Sequence, residues 1–222
     1  MHSIHNFTGG IKTRNRFALL VKNLKILVDD NASHRSGKAR FLFNDVIRTF
    51  RRDCGLHKCC RTAKVLIFAK LDEFVVAGNG LLKRAAVDAG CGSGILSVAA
   101  AKFGAEKVYA LDLDPVAVDV TAENAERNGC ADVIEAKRSD LLTEVPEGTQ
   151  ADIVVANIIA DVVIALNGKA QKYMKRNGMY ICSGIIDSRL GDVRKSLEEE
   201  GYKVIQILED GEWRAIACKY RG

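Results

Sequence analysis

Apolar positions along the chain follow two different rhythms, and the change between them falls near residue 80. From Phe17 the apolar residues Phe17, Leu20, Val21, Leu24, Leu27 and Val28 recur at three- and four-residue steps, which predicts an amphipathic helix. The polar stretch from Asp29 to Lys38 reads as loop. Phe41, Leu42, Val46, Ile47 and Phe50 predict a second, shorter helix. Lys70 to Val76 reads as a helix leading into the next part of the chain, and Ala77-Gly78-Asn79-Gly80 as a turn.

Beyond that turn the pattern becomes regular. Short apolar runs predict strands at Ala85 to Ala89, Lys107 to Leu113, Asp132 to Ala136, Asp152 to Asn157 and Gly178 to Gly184. Helical patterns lie between them: Ile95 to Phe103 (stopped at Gly104), Pro115 to Asn128, Asp161 to Met174, and Arg189 to Glu200 (stopped at Gly201). Two more strands, Lys203 to Leu208 and Trp213 to Lys219, close the pattern across the short turn Glu209-Asp210-Gly211-Glu212. Strand–helix alternation calls for a parallel sheet with helices on both faces. The final linker is too short for a helical crossover, so the seventh strand must run antiparallel to the sixth. The expected fold is α/β: a doubly wound, Rossmann-like, mostly parallel seven-stranded sheet with an antiparallel last strand.

The first strand runs into the sequence AAVDAGCGSGILS, in which Asp88 precedes glycines at 90, 92 and 94. A strand, a glycine turn and a helix in that order let backbone close onto a nucleotide-type ligand. The spacing is G-x-G-x-G, whereas a dinucleotide fingerprint needs G-x-G-x-x-G. A pyrophosphate wants a bare helix N-terminus. An acid on the strand end suits a cationic group instead, so the pattern favours S-adenosylmethionine over NAD. The competing explanation is a tight structural turn with no ligand.

In an open parallel sheet, ligands bind beyond the carboxyl ends of the strands. Those ends carry Asp88 to Gly94 after the first strand, Asp112 after the second, Asp140 after the third and Asn157 after the fourth. Asp112 is placed to accept from ribose hydroxyls, with Asp114 assigned mainly to capping the helix at Pro115. Asp140 can accept from an adenine amino group, or is simply a loop acid. Asn157 can hold an acceptor N–H through its side-chain carbonyl, or serves as a turn former. Cys91 and Gly94 in the turn, and Leu113 beside Asp112, complete the cofactor-side candidates. With an already activated sulfonium methyl, the main task is alignment of the acceptor lone pair, and no strong base is required.

Charge separates the two parts. Residues 1–80 hold 15 Lys and Arg against 6 Asp and Glu, whereas residues 81–222 hold 18 against 22. The basic stretch from Arg48 to Lys64 is either a solvated face or a ribosome or RNA contact. Cys54, His57, Cys59 and Cys60 lack the paired spacing of a zinc site, so no metal is expected. Seven irregularly placed cysteines point to reduced thiols and a cytoplasmic location. No apolar run approaches the ~20 residues of a membrane span, and no secretory signal is read at the start.

The segment from VDAGCGSGILS to ENAERNG, then VVANIIADV, YICSGII and the ending EGYKVIQILEDGEWRAIACK, resembles the class I S-adenosylmethionine-dependent methyltransferases, and among them the bacterial ribosomal protein L11 methyltransferases. The resemblance covers about residues 70–222 and implies a methyltransferase domain there. It implies methyl transfer to lysine side chains and the α-amine of that large-subunit protein. It further implies Asp88, Gly90 and Gly92 around the methionine part of the cofactor, Asp112 on its ribose, and Asn157 by the target nitrogen. Residues 1–69 are unlike the family and are expected to show low order. Alternative functions are N-methylation of another protein, RNA or a small amine, or a non-catalytic paralogue.

Overall fold

The computed structural model describes residues 85–222. The helices expected within 17–28, 41–50 and 70–76, the basic stretch and the Cys54, His57, Cys59 and Cys60 group lie outside the described residues.

Seven strands and four α-helices follow in the order β1 (Ala85–Ala89), α1 (Ile95–Lys102), β2 (Lys107–Asp112), α2 (Pro115–Arg127), β3 (Ile134–Arg138), β4 (Ala151–Asn157), α3 (Ala160–Ala170), β5 (Met174–Ile186), α4 (Leu190–Glu199), β6 (Tyr202–Asp210) and β7 (Trp213–Tyr220). The strands form one sheet in the order β3-β2-β1-β4-β5-β7-β6. All neighbours pair in parallel except β7, which is antiparallel to both β5 and β6.

Both faces of the sheet are covered. Leu96, Val98 and Ala100 of α1 and Ala125 of α2 pack with Ala86, Val108, Ile153, Val155 and Ile181 on one face. Val163 and Leu166 of α3 and Val193 and Leu197 of α4 pack with Val87, Leu111, Val154, Tyr180 and Ile216 on the other. Burial on both sides explains why β1 and β4 read as continuous apolar runs rather than alternating ones. Strand β7 is enclosed in the same way, and its Ala-Ile-Ala-Cys run at 215–218 is fully buried.

Local chemistry sets the helix starts. The Asp114 carboxylate accepts from Val116 N–H at 2.9 Å, and Pro115 takes the first helical position of α2. Gly94, at φ 73, precedes α1, and its carbonyl accepts the first helical bond, from Val98 N–H at 2.8 Å.

Several expected boundaries move. Strand β3 starts at Ile134, two residues late, because the N–H groups of Val133 and Ile134 both turn back to the Cys130 carbonyl. Helix α3 ends at Ala170, and a 3-10 turn (Gln171–Tyr173) hands over to β5 at Met174. Strand β5 is therefore longer than the expected 178–184. It pairs Met174 with Ala151, loops out Lys175 to Gly178, and resumes with Met179 against Ile153. Lys175 Nζ donates to Asp152 Oδ2 at 2.8 Å across that irregularity. Between β6 and β7 only Gly211 and Glu212 form the turn.

Candidate functional site at the carboxyl rim

The glycine turn folds onto the end of β2. Gly90 and Cys91 N–H both donate to the Leu111 carbonyl, at 2.8 and 2.9 Å. Gly92 N–H donates to Asp112 Oδ2 at 2.9 Å. Gly94 N–H donates to the Cys91 carbonyl at 2.8 Å. From α2, Thr121 Oγ1 donates to the Gly92 carbonyl at 3.1 Å, and Asn124 Nδ2 to that of Ser93 at 2.8 Å. Four amide donors of the turn are thus engaged within the protein. A phosphate-binding turn keeps such donors open for its ligand, so this turn is a shaped wall and not an anion cradle.

Asp88 is buried at the end of β1. Its Oδ2 accepts from Ser97 Oγ at 2.6 Å, while Oδ1 has no hydrogen-bond partner. Burial raises its pKa to about 6; the bonds from Ser97 oppose the shift and the nearby Asp112 charge adds to it. A buried carboxyl with a vacant acceptor gains from a neighbouring cation. Asp112 is half-buried. Its Oδ1 accepts from Asp114 N–H at 3.0 Å, and each oxygen keeps a further lone pair for a donor such as a ribose hydroxyl. Leu113, next in sequence, is 62% exposed. Arg138 Nε donates to its carbonyl at 3.2 Å and braces it from β3. Asp140 is exposed just beyond β3.

Gly92 holds φ 54, and a Cβ built on it would meet nothing within 4 Å. That open space beside Asp112 is where a nucleoside could approach backbone. Cys91 differs from the rest of the turn. Its thiol is buried in the core, receives a 3.3 Å bond from Thr121 Oγ1, and is pushed up to about 12, chiefly by burial. Only its backbone faces the turn's bonding pattern.

Asn157 ends β4, half-buried, opposite Ser183 of β5. The chain then passes Ile158, which is gripped from both sides. A Cβ on Gly90 would stand 2.4 Å from Ile158 Cγ2, and one on Gly184 would stand 2.6 Å from the Ile158 carbonyl oxygen. Gly184 also has φ 82, which disfavours other residues. Ile158 N–H donates to the Ser183 carbonyl at 3.1 Å. The glycine turn and the Asn157 corner are therefore packed as one unit.

By strand alternation and register, Asp88, Asp112, Asn157 and Ser183 share the sheet face covered by α1 and α2. Ser97, Thr121, Ile158 and Ser183 are absent from the sequence-based candidates. Ser97 was the most accessible of them, because a serine in the first turn after a glycine loop faces back toward the preceding strand.

A buried acid with an open acceptor, an unfilled space over Gly92 and an acid closing β2 fit a cationic nucleoside. With this sheet order they define the S-adenosylmethionine-dependent class I methyltransferases. A model of the family described as ribosomal protein L11 methyltransferase (PrmA) matches residues 62–221, and the chain belongs to that family. The ribosomal protein L11 methyltransferase of Syntrophomonas wolfei is 40% identical over 165 residues, 74% of this chain and 50% of the relative. That of Thermoanaerobacter pseudethanolicus is 50% identical over 132 residues, 60% of this chain and 42% of the relative. The chain spans about half the length of the curated relatives it matches. The crystal structure of ribosomal protein L11 methylase from Lactobacillus delbrueckii subsp. bulgaricus superposes with a TM-score of 0.64 at 27% identity, covering 72% of this chain and 79% of that one. Among the described residues, no helix is long and apolar enough to cross a membrane.

Proposed function

We propose that the chain transfers methyl groups from S-adenosylmethionine to amino groups, lysine side chains and the α-amine, of ribosomal protein L11. The observation that supports this most is the packing of Ile158 between Gly90 and Gly184, which ties a cofactor-side turn to an acceptor-side asparagine.

When bound, S-adenosylmethionine supplies a methyl group activated by its sulfonium charge. Asp88 offers its open oxygen to a ligand ammonium, and Asp112 accepts from the ribose hydroxyls. Leu113 would lie on the cofactor side beside Asp112, and Asp140 would accept from the adenine amino group. Gly90, Cys91, Gly92 and Gly94 supply backbone shape without side chains in the way of the ligand. Asn157 accepts an N–H of the incoming amine and points its lone pair at the methyl carbon. The amine must arrive neutral, and exclusion of water around it lowers its pKa. Alignment then does most of the work.

The test is incorporation of labelled methyl into purified L11 by the full chain, with Asn157→Ala as the control. Incorporation that is lost in the variant supports the proposal. Cofactor binding with no incorporation into L11 would overturn the choice of substrate, and no heat with S-adenosylhomocysteine would overturn the enzymatic reading as a whole.

A further inference from the structure

Ser183 is fully buried near the carboxyl end of β5, and its Oγ has no hydrogen-bond partner. A buried hydroxyl without a partner is costly, and such groups call for a reason. Its place in the sheet offers one. Ser183 is the direct parallel partner of Asn157, so the two side chains leave neighbouring strands on the same face. Its carbonyl already fixes the next residue, Ile158. Immediately after it the register shifts, with Gly184 pressed against the Ile158 backbone.

We propose that Ser183 is a positioning residue for Asn157: its hydroxyl accepts from the Asn157 side-chain N–H₂, so that the carboxamide oxygen faces the acceptor amine. A carboxamide looks much the same from either end, and only its partners decide which end faces a ligand. A hydroxyl that takes the N–H₂ end selects the orientation the reaction needs. Cα atoms of paired strands lie about 4.8 Å apart, and a serine hydroxyl can choose among three staggered positions. At that spacing a serine hydroxyl can reach a carboxamide on the paired strand by side-chain rotation, with no movement of backbone. This inference rests on the proposed role of Asn157 in holding the acceptor.

The test follows the Asn157 side-chain N–H₂ pair by ¹⁵N NMR in the full chain, identified by its loss in Asn157→Asp, with and without S-adenosylhomocysteine. In Ser183→Ala the pair should shift and exchange faster with water in the ligand-bound state. The variant should melt no lower than the wild type, because it removes an unpartnered hydroxyl. Its kcat on L11 should fall on the order of fivefold, the loss of one modest hydrogen bond, with affinity for S-adenosylhomocysteine unchanged. Ser183→Cys, which keeps the volume, carries the same comparison should the alanine variant fold poorly. An Asn157 pair indifferent to Ser183 in both states, or a kcat on L11 left unchanged by the variants, overturns the proposal. Failure of the underlying function is separate, since it appears as wild-type protein that binds no S-adenosylhomocysteine or methylates nothing.

Discussion

Gly92 and Asp112, 20 residues apart, are joined by a 2.9 Å bond from the glycine amide to the aspartate carboxylate. The acid that would hold a ribose thus also holds the turn beneath it. Asp112→Ala should weaken S-adenosylhomocysteine binding on the order of 10–100-fold, since charged hydrogen bonds contribute about 1.5–3 kcal/mol each. Asp112→Asn keeps the shape and should lose less. Calorimetry checks both, and equal affinity in all three proteins would remove Asp112 from the site.

Asp88 should make both stability and ligand binding depend on pH. Its pKa in the folded chain is raised to about 6 from 3.8, so the folded protein holds this proton more tightly than the unfolded one. The stability linked to that proton is fully present below pH 3.8 and is lost as pH rises through about 6. The melting advantage of Asp88→Asn over the wild type should therefore grow from pH 4 to pH 7.5. Ligand binding runs the other way, because a bound ammonium favours the ionised carboxylate. Affinity for S-adenosylhomocysteine should fall as pH drops below about 6 in the wild type and vary much less in Asp88→Asn.

Two glycines should respond differently to alanine. Gly184→Ala places a Cβ against the Ile158 carbonyl at a φ of 82, so the chain should lose stability and melt several degrees lower. Gly92→Ala meets no protein atom. It should cost about 1 kcal/mol for its left-handed backbone, while the added methyl obstructs the ligand. Melting curves paired with ligand titration separate the two effects.

Cys91, Cys130, Cys182 and Cys218 are free and buried, and burial raises the pKa of each. Thiolate is the reactive form. At pH 8 these four should resist alkylation until the protein unfolds, as read residue by residue in peptide mass spectra. Rapid labelling of Cys91 in the native protein would contradict its placement in the core.

The order of elements after residue 85 was legible because the central strands β1 and β4 are apolar runs and most turns hold a glycine or proline. The carboxyl end of β1 agrees to the residue, since the glycines close the run after Ala89. Asp88, Asp112 and Asn157 fall at strand ends as expected. The loop at Lys175 to Gly178 escaped notice because a lysine that reaches back to Asp152 looks like any surface lysine. The position of β7 between β5 and β6 depends on which edge the last hairpin joins, and alternation along one strand carries no trace of that. Ser183 escaped for a related reason: its importance comes from its neighbour across the sheet, 26 positions away in sequence.

The seating of β7 has a consequence for how the chain is made. The strand synthesised last of the seven must slot between two that emerged before it. Until Tyr220 has left the ribosome, β5 stands with a bare flank of unpaired backbone, open to sticking to other chains. A chain that stopped before Trp213 would lack an inner stave rather than a fringe, so quality control should recognise and remove it.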